Sequence, residues 1–567
     1  MPGAFTFALA ALLLCRADAQ PLRMSVYVTA GGVEKYLGEP ANRQRAVQAM
    51  KALKIARVFL EGRRGDEYVS PERMREIADA LRREGFVVSG GIATVPGHTF
   101  GVRQNGGLNW LNYEAEKTRK DIATYFRQHA PLFDELIVDD FYCTADTTPE
   151  SERSRAERSW ADYRQDLLVS LAEPMMLTPA RAARPGIRVT VKYPQWYDRF
   201  HLFGYNPRRL SQYFDAVWVG TETRNPETPR MGYVQPTQGW INFRWIRAIA
   251  GEKVRGAWFD HIDCTAQNFL DQAYQSVLAG ARELTLFHLG DLIAGHPGDA
   301  LLAARLPDLE TLASRILGRE PQGIAFYKPP ASDADENLYL MDYVAMLGLP
   351  LVPAADYPRR AQVAMLGAQA AKDPRVAEHV RAHLDAGATL VVTPALLRRV
   401  RPLAEAAGVR VTAEAQPTRV AIVHLDGGSL ALGTPIEVDA GLSAAGATVL
   451  MAGTGPAGRL PLLTRRGRLL VWNIRTFNEE DFRQAGEWLL PPRPLGWVRL
   501  PDRVVNELRL RLLEPMKLRL EAPPRVAFYD FDGLRCFYNF RDETATVRLD
   551  GKAFEVAGHT AACTGDL

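Results

Sequence analysis

Two segments, Glu135-Leu-Ile-Val-Asp-Asp-Phe-Tyr-Cys143 and Ala216-Val-Trp-Val-Gly-Thr-Glu-Thr-Arg224, each carry a short apolar run that ends in carboxylates. An apolar run of strand length followed at once by acids reads as a buried parallel strand whose carboxyl end opens onto a site. In α/β proteins that end is where the chemistry is kept.

Working outward, the pattern repeats. Apolar runs occur at Met24 to Ala30, Ala56 to Leu60, Phe86 to Thr94, Glu135 to Asp139, Ile187 to Val191, Ala216 to Gly220, Val254 to Asp260 and Glu283 to His288. Amphipathic stretches with apolar residues at helical spacing lie between them, including Asn42 to Lys51, Pro71 to Leu81 and Ala266 to Leu278. Eight strands alternating with helices predict an α/β fold, a (β/α)8 TIM barrel over 20–318. An open doubly wound sheet is the alternative, and no Gly-rich phosphate loop follows the first run to support a nucleotide-binding version.

A second βα rhythm starts at Gly323-Ile-Ala-Phe-Tyr-Lys328 and continues through Gln362 to Gly367 and Ala388 to Thr393, with a helix from Pro374 to Ala386. It predicts a flavodoxin-like α/β domain over 319–480. Beyond it, Arg525 to Phe531 and Leu534 to Phe540 alternate around the turn signal Asp532-Gly533, predicting a small C-terminal β-sandwich over 481–567.

The chain has 567 residues, 47% hydrophobic and 24% charged, with 69 basic and 66 acidic side chains scattered along it. No basic footprint for nucleic acid is present. The start, MPGAFTFALAALLLCRADAQ, has an apolar stretch before Ala17-Asp18-Ala19, which reads as a signal peptide over 1–19 and a periplasmic or secreted protein. No later run is long enough to span a bilayer, so no membrane association is expected. Of the remaining cysteines, the distribution favours pairing Cys536 with Cys563, while Cys143 and Cys264 read as free thiols. There is no C-x-x-C spacing, and His98, His261 and His288 beside Asp260 and Asp263 read as loop histidines, so neither metal nor cofactor is expected.

Strand-end acids on a closed barrel converge on one face. Paired carboxylates there are the minimum equipment for glycosidic hydrolysis, one as nucleophile or base and one as general acid. The candidates are Asp139 or Asp140 as nucleophile, with Asp139 favoured by a slight margin, and Glu222 as acid/base. Adjacent strand residues point oppositely, so one aspartate should face the axis and the other a loop or a cation. Lys192 is placed to lower the pKa of the neighbouring aspartate, and Arg224 to fix a carboxylate or a sugar hydroxyl. Glu61, Asp260, Tyr193 and Trp196 complete the expected substrate contacts, the aromatic rings as sugar platforms. The Gly-rich segment from Pro96 to Asn112 is expected to cover the site.

Phe133 to Tyr142, Trp160-x-x-Tyr163-Arg164, Val191-Lys-Tyr-Pro-Gln-Trp-Tyr197 and Gly220-Thr-Glu-Thr-Arg224 together resemble a set of secreted bacterial glycoside hydrolases. The resemblance implies a catalytic barrel acting on a carbohydrate substrate. A fourth-strand aspartate with a sixth-strand acid is also similar to retaining α-glycosidases of the α-galactosidase clan, although Glu222 stands where that clan has aspartate. The middle unit resembles the class I amidotransferase-like domain that follows the barrel in family 42 β-galactosidases and implies homo-oligomer contacts there. No cysteine lies between Cys264 and Cys536, so glutaminase chemistry is excluded. The expected function is therefore a retaining, exo-acting glycoside hydrolase of oligo- or polysaccharides. The alternative is a non-catalytic carbohydrate-binding protein on the same scaffold.

Overall fold

The computed structural model describes residues 22–106, 108–477, 489–491, 493 and 495–564. The expected signal peptide and the expected boundary at 480 lie outside the described residues.

Eight parallel strands close into a barrel: β1 (Arg23–Val28), β2 (Ile55–Arg64), β3 (Val87–Ala93), β4 (Glu135–Val138), β5 (Arg188–Tyr193), β6 (Ala216–Gly220), β7 (Val254–Asp260) and β8 (Glu283–Phe287). Each pairs with the next, and β1 closes the ring by pairing with both β2 and β8, Val26 lying opposite Val58 and Leu286. Closure buries both faces of every strand, which is why Leu136 to Val138 are fully enclosed and read as an unbroken apolar run. Tyr27, Phe59, Ile137, Trp218 and Trp258 fill the interior, so the barrel is a packed core rather than a pore.

The connecting helices start where their sequences predict. Ser70 caps Pro71–Arg83 by accepting from the Arg73 amide, and Thr265 with Asn268 forms a capping box on Ala266–Leu278. Their apolar faces, such as Met74, Ile77 and Leu81, are buried against the strands.

The middle unit is a nine-stranded mixed sheet. Five strands are parallel, in the order Leu351–Ala354, Ile324–Tyr327, Val363–Leu366, Thr389–Val392 and Leu469–Trp472. Four antiparallel strands, Gly458–Arg466, Thr448–Gly455, Pro417–Leu425 and Gly428–Asp439, extend its edge. This antiparallel half departs from the βα rhythm expected up to residue 480; its strands are half exposed and do not form apolar runs.

At the carboxyl end, Val526–Phe531 and Leu534–Asn539 form the expected hairpin, and a second small antiparallel sheet pairs Leu520–Glu521, Ala545–Leu549 and Lys552–Val556. Cys536 is disulfide-bonded to Cys563, while Cys143 and Cys264 are free. A helix, Asp502–Leu513, also belongs to this stretch, and the linker strand Pro321–Gln322 pairs with Val526–Phe531. No helix of the described residues is long and apolar enough to cross a membrane.

Candidate active site

The carboxyl ends of β2 and β4 to β7 gather an ionic network. Strand β2 runs on to Arg64, so Glu61 lies inside the strand rather than after it. Fully buried, Glu61 accepts from the Tyr27 hydroxyl (2.6 Å), the Ala30 amide (2.8 Å) and Arg64 Nε (2.9 Å) and Nη2 (2.8 Å). Burial still leaves its carboxyl above the usual glutamate range, Arg64 notwithstanding. Arg64 Nη2 reaches on to Asp139 Oδ2 at 2.7 Å.

The alternation expected for Asp139 and Asp140 does not apply, because β4 ends at Val138 and both aspartates sit in the turn beyond it. They converge instead on Lys192. Asp139 Oδ1 accepts the Asp140 amide at 2.8 Å and lies 3.8 Å from Lys192 Nζ, so both its oxygens are committed to the protein. Asp140 gives Oδ2 to Lys192 Nζ at 2.7 Å and is the more exposed of the two.

Lys192 projects from within β5, 2% exposed, and donates to Glu222 Oε1 at 2.6 Å as well as to Asp140. Its ammonium also lies 4.4 Å from the centre of the Trp258 ring. Burial pulls the Lys192 pKa down, yet Asp140 and Glu222 together outweigh it and hold the ammonium above the ordinary lysine range. Burial, with the Asp139 charge adding to it, leaves the Asp140 carboxyl above the ordinary aspartate range, although Lys192 pulls it down as expected.

Glu222 stands beyond β6 and is 4% exposed. Its second oxygen, Oε2, has no hydrogen-bond partner among the described residues and lies over Gly220, where a Cβ would meet it at 2.4 Å. Burial pushes this carboxyl up to about 7 against the pull of Lys192, with Asp140 adding to the rise. Arg224, with φ of 55°, holds Asp260 from two nitrogens, Nε at 3.0 and 3.2 Å and Nη2 at 2.5 Å. It thus fixes a carboxylate, the first of the two roles expected for it, from the cavity lining.

A cavity of about 380 Å³ opens over this network. Asp139, Asp140, Lys192, Glu222, Arg224, Asp260 and Trp196 line it, and so do Arg64, Gln195, Trp258 and Phe287, which the sequence reading did not place there. Glu61 and Tyr193 lie behind its wall: Tyr193 is fully buried with its hydroxyl on Ser211 at 2.9 Å. Trp196 is 9% exposed and stacks on Trp110, ring centres 5.8 Å apart. The Pro96 to Asn112 segment, expected to cover the site, reaches it only through that stack and contributes no lining residue; Phe141, Met231, Ile262, Leu489 and Leu490 complete the lining. His261 bonds Asp299 at 2.7 Å and His98 bonds Asp66 at 2.6 Å.

A closed parallel barrel with carboxylates gathered at its carboxyl mouth defines a barrel-type enzyme scaffold. Residues 12–300 match the family model described as "Probable glycosyl hydrolase, catalytic domain", and the chain belongs to that family. It is 24% identical over 300 residues to the uncharacterized protein SSO3021 of Saccharolobus solfataricus, covering 48% of this chain and 49% of that protein. The chain thus spans about half the length of the curated relative it matches. The fold as a whole is similar to Gan42B, a GH42 β-galactosidase of G. stearothermophilus, with TM-score 0.63, 13% identity and coverage of 96% and 98%. It is also similar to α-L-fucosidase isoenzyme 2 of Paenibacillus thiaminolyticus, with TM-score 0.61, 11% identity and coverage of 93% of each chain.

Proposed function

We propose that the chain is a retaining, exo-acting glycoside hydrolase in which Asp140 is the nucleophile and Glu222 the acid/base. The carrying observation is the single ammonium shared by the two carboxyls. Asp140 Oδ2 and Glu222 Oε1 lie 2.7 and 2.6 Å from Lys192 Nζ, which keeps them within the roughly 5.5 Å of a retaining pair and short of the ~6.5–9.5 Å that an inverting pair needs for its water. A cavity of about 380 Å³ suits one terminal sugar residue of an oligo- or polysaccharide or another glycoside.

Asp140 is preferred to Asp139 because Asp139 already gives both oxygens to Arg64 and the Asp140 amide. In the first step an Asp140 oxygen bonds the anomeric carbon while the bond to the leaving oxygen breaks and takes the Glu222 proton. In the second, Glu222 removes a proton from water, whose oxygen displaces Asp140 and regenerates both carboxyls. Lys192 is the electrostatic partner that favours the ionised form of Asp140 against its burial.

The same reading makes the protein periplasmic or secreted, supported by Ala17-Asp18-Ala19 and the Cys536–Cys563 bond. It makes the middle unit an amidotransferase-like scaffold for homo-oligomer contacts.

The test is turnover of α- and β-linked aryl glycosides by the mature protein and by Asp139→Asn, Asp140→Ala and Glu222→Gln. A retained product anomer by NMR, with azide restoring turnover to Asp140→Ala, is the expected result. Azide rescue confined to an Asp139→Ala variant would move the nucleophile to Asp139. Equal glycan binding by all variants without any turnover would replace the enzyme by a carbohydrate-binding protein.

A further inference from the structure

Around the cavity, the charged groups come from the strand ends, together with the rings of Trp258 and Phe287, and further apolar side chains come from the segments beyond them. The carboxylates and Lys192 stand at strand ends, whereas Phe141, Met231, Ile262, Leu489 and Leu490 arrive on segments beyond them. Phe141 directly follows Asp140, Ile262 comes two residues after Asp260, and Met231 lies on the connection after β6. Leu489 and Leu490 come from outside the barrel altogether. Four of these five side chains are part-exposed and Leu490 is 8% exposed, Phe141 and Leu489 also packing against the main core.

This wall is built into the fold. The Tyr233 amide donates to the Pro491 carbonyl at 3.0 Å, and the Tyr339 hydroxyl donates to the Leu489 carbonyl. Gly232, with φ of 80°, lets the segment come close: a Cβ there would meet Leu490 Cβ at 2.6 Å. Two distant parts of the chain are thereby clamped together so that leucine side chains face the cavity.

Resting on the glycosidase reading above, we infer that the leaving-group subsite takes an apolar aglycone, an alkyl or aryl group, rather than a second sugar. The sugar whose bond is cut sits over the carboxylates, so its aglycone leaves toward the mouth past Phe141, Ile262 and the two leucines. A second sugar in that place would turn hydroxyls toward the apolar side chains, with only Arg64, against the Phe141 ring, to meet them, and each hydroxyl left facing carbon loses its water without replacement. An alkyl chain or aromatic ring gains from the same surface with each carbon buried.

The experiment compares inhibition by, and calorimetric binding of, methyl and octyl 1-thioglycosides of galactose, glucose, mannose and fucose in both anomers, with the corresponding disaccharides alongside. For the sugar that binds, the octyl compound is expected to bind about tenfold or more tightly than the methyl compound. That ratio should fall in Leu490→Asn and, independently, in Met231→Gln. Equal affinity for methyl and octyl, or tighter binding of the disaccharide than of the octyl compound, overturns the inference while leaving hydrolysis intact. An octyl preference without turnover of any glycoside overturns the catalytic reading and leaves an apolar-glycoside binding site.

Discussion

At the scale of single residues, the site turns on one buried cation among three carboxyls. Glu222 can donate a proton only while it holds one, and its pKa of about 7 reflects burial opposed by Lys192. The protonated fraction falls as pH rises through that value, so kcat/KM is expected to decline on the alkaline side near pH 7, and a pH profile checks it. Glu222→Gln should cost on the order of a thousandfold in kcat on substrates with poor leaving groups and much less on activated aryl glycosides, which need little protonation. Lys192→Met removes the attraction that favours the ionised form of Asp140. Both limbs of the profile should then move to higher pH, because without the ammonium each carboxyl favours its neutral form. Turnover at neutral pH should fall on the order of a hundredfold. Stability should fall by up to about 3 kcal/mol, least at low pH, where the orphaned carboxyls are neutral, which denaturant melts at two pH values would show. An unchanged profile would mean that Lys192 is a structural plug with no hold on the reacting pair.

At the scale of elements, Gly220 ends β6 under Glu222 Oε2, and an added methyl would sit 2.4 Å from that oxygen. Gly220→Ala is therefore expected to push Glu222 off its bond to Lys192, lowering kcat at least tenfold while the melting temperature moves only a few degrees. A loss of stability with kcat intact would place the contact in the fold alone. Element identity was legible because buried parallel strands write themselves as apolar runs: β6 and β7 span the residues expected from the sequence, and β4 differs by one residue. Strand ends were less legible, and the candidate site lies there. Glu61 and Lys192 fall inside β2 and β5, since a charged side chain satisfied by Arg64 or by two carboxyls does not interrupt pairing. Asp139 and Asp140 escape strand alternation because β4 stops one residue earlier than the run of letters implies. Arg64 was missed for want of any local signal; only the register of β2 against β3 brings it to the mouth. Leu489 and Leu490 are more than 220 residues from the carboxylates with which they line the cavity, a distance that no periodicity bridges.

At the scale of the molecule, the barrel is not closed off from the rest of the chain. Asp342, from the middle unit, is buried and accepts from Tyr197 Oη at 2.8 Å and Gln238 Nε2 at 2.7 Å, both barrel residues. Lys328 Nζ and Asp198 Oδ1 form a second buried pair across the same boundary, 3.2 Å apart. The C-terminal unit covers helix Ala266–Leu278 through Tyr538 on Asp271 at 2.6 Å and Tyr529 on Gln275, with the Tyr529 ring 4.6 Å from Trp240. Cutting the chain after residue 318 would expose Trp240 to water, leave Asp198 without its cation and remove the leucines from the cavity mouth. Unpaired buried charge and newly bared aromatic surface together exceed what a domain of marginal stability can absorb. A fragment of 22–318 is thus expected to aggregate or to lack a cooperative thermal transition, as calorimetry and size-exclusion chromatography would report. If it melted cooperatively at the temperature of the whole protein, the flanking units would be accessories to the barrel rather than part of its core.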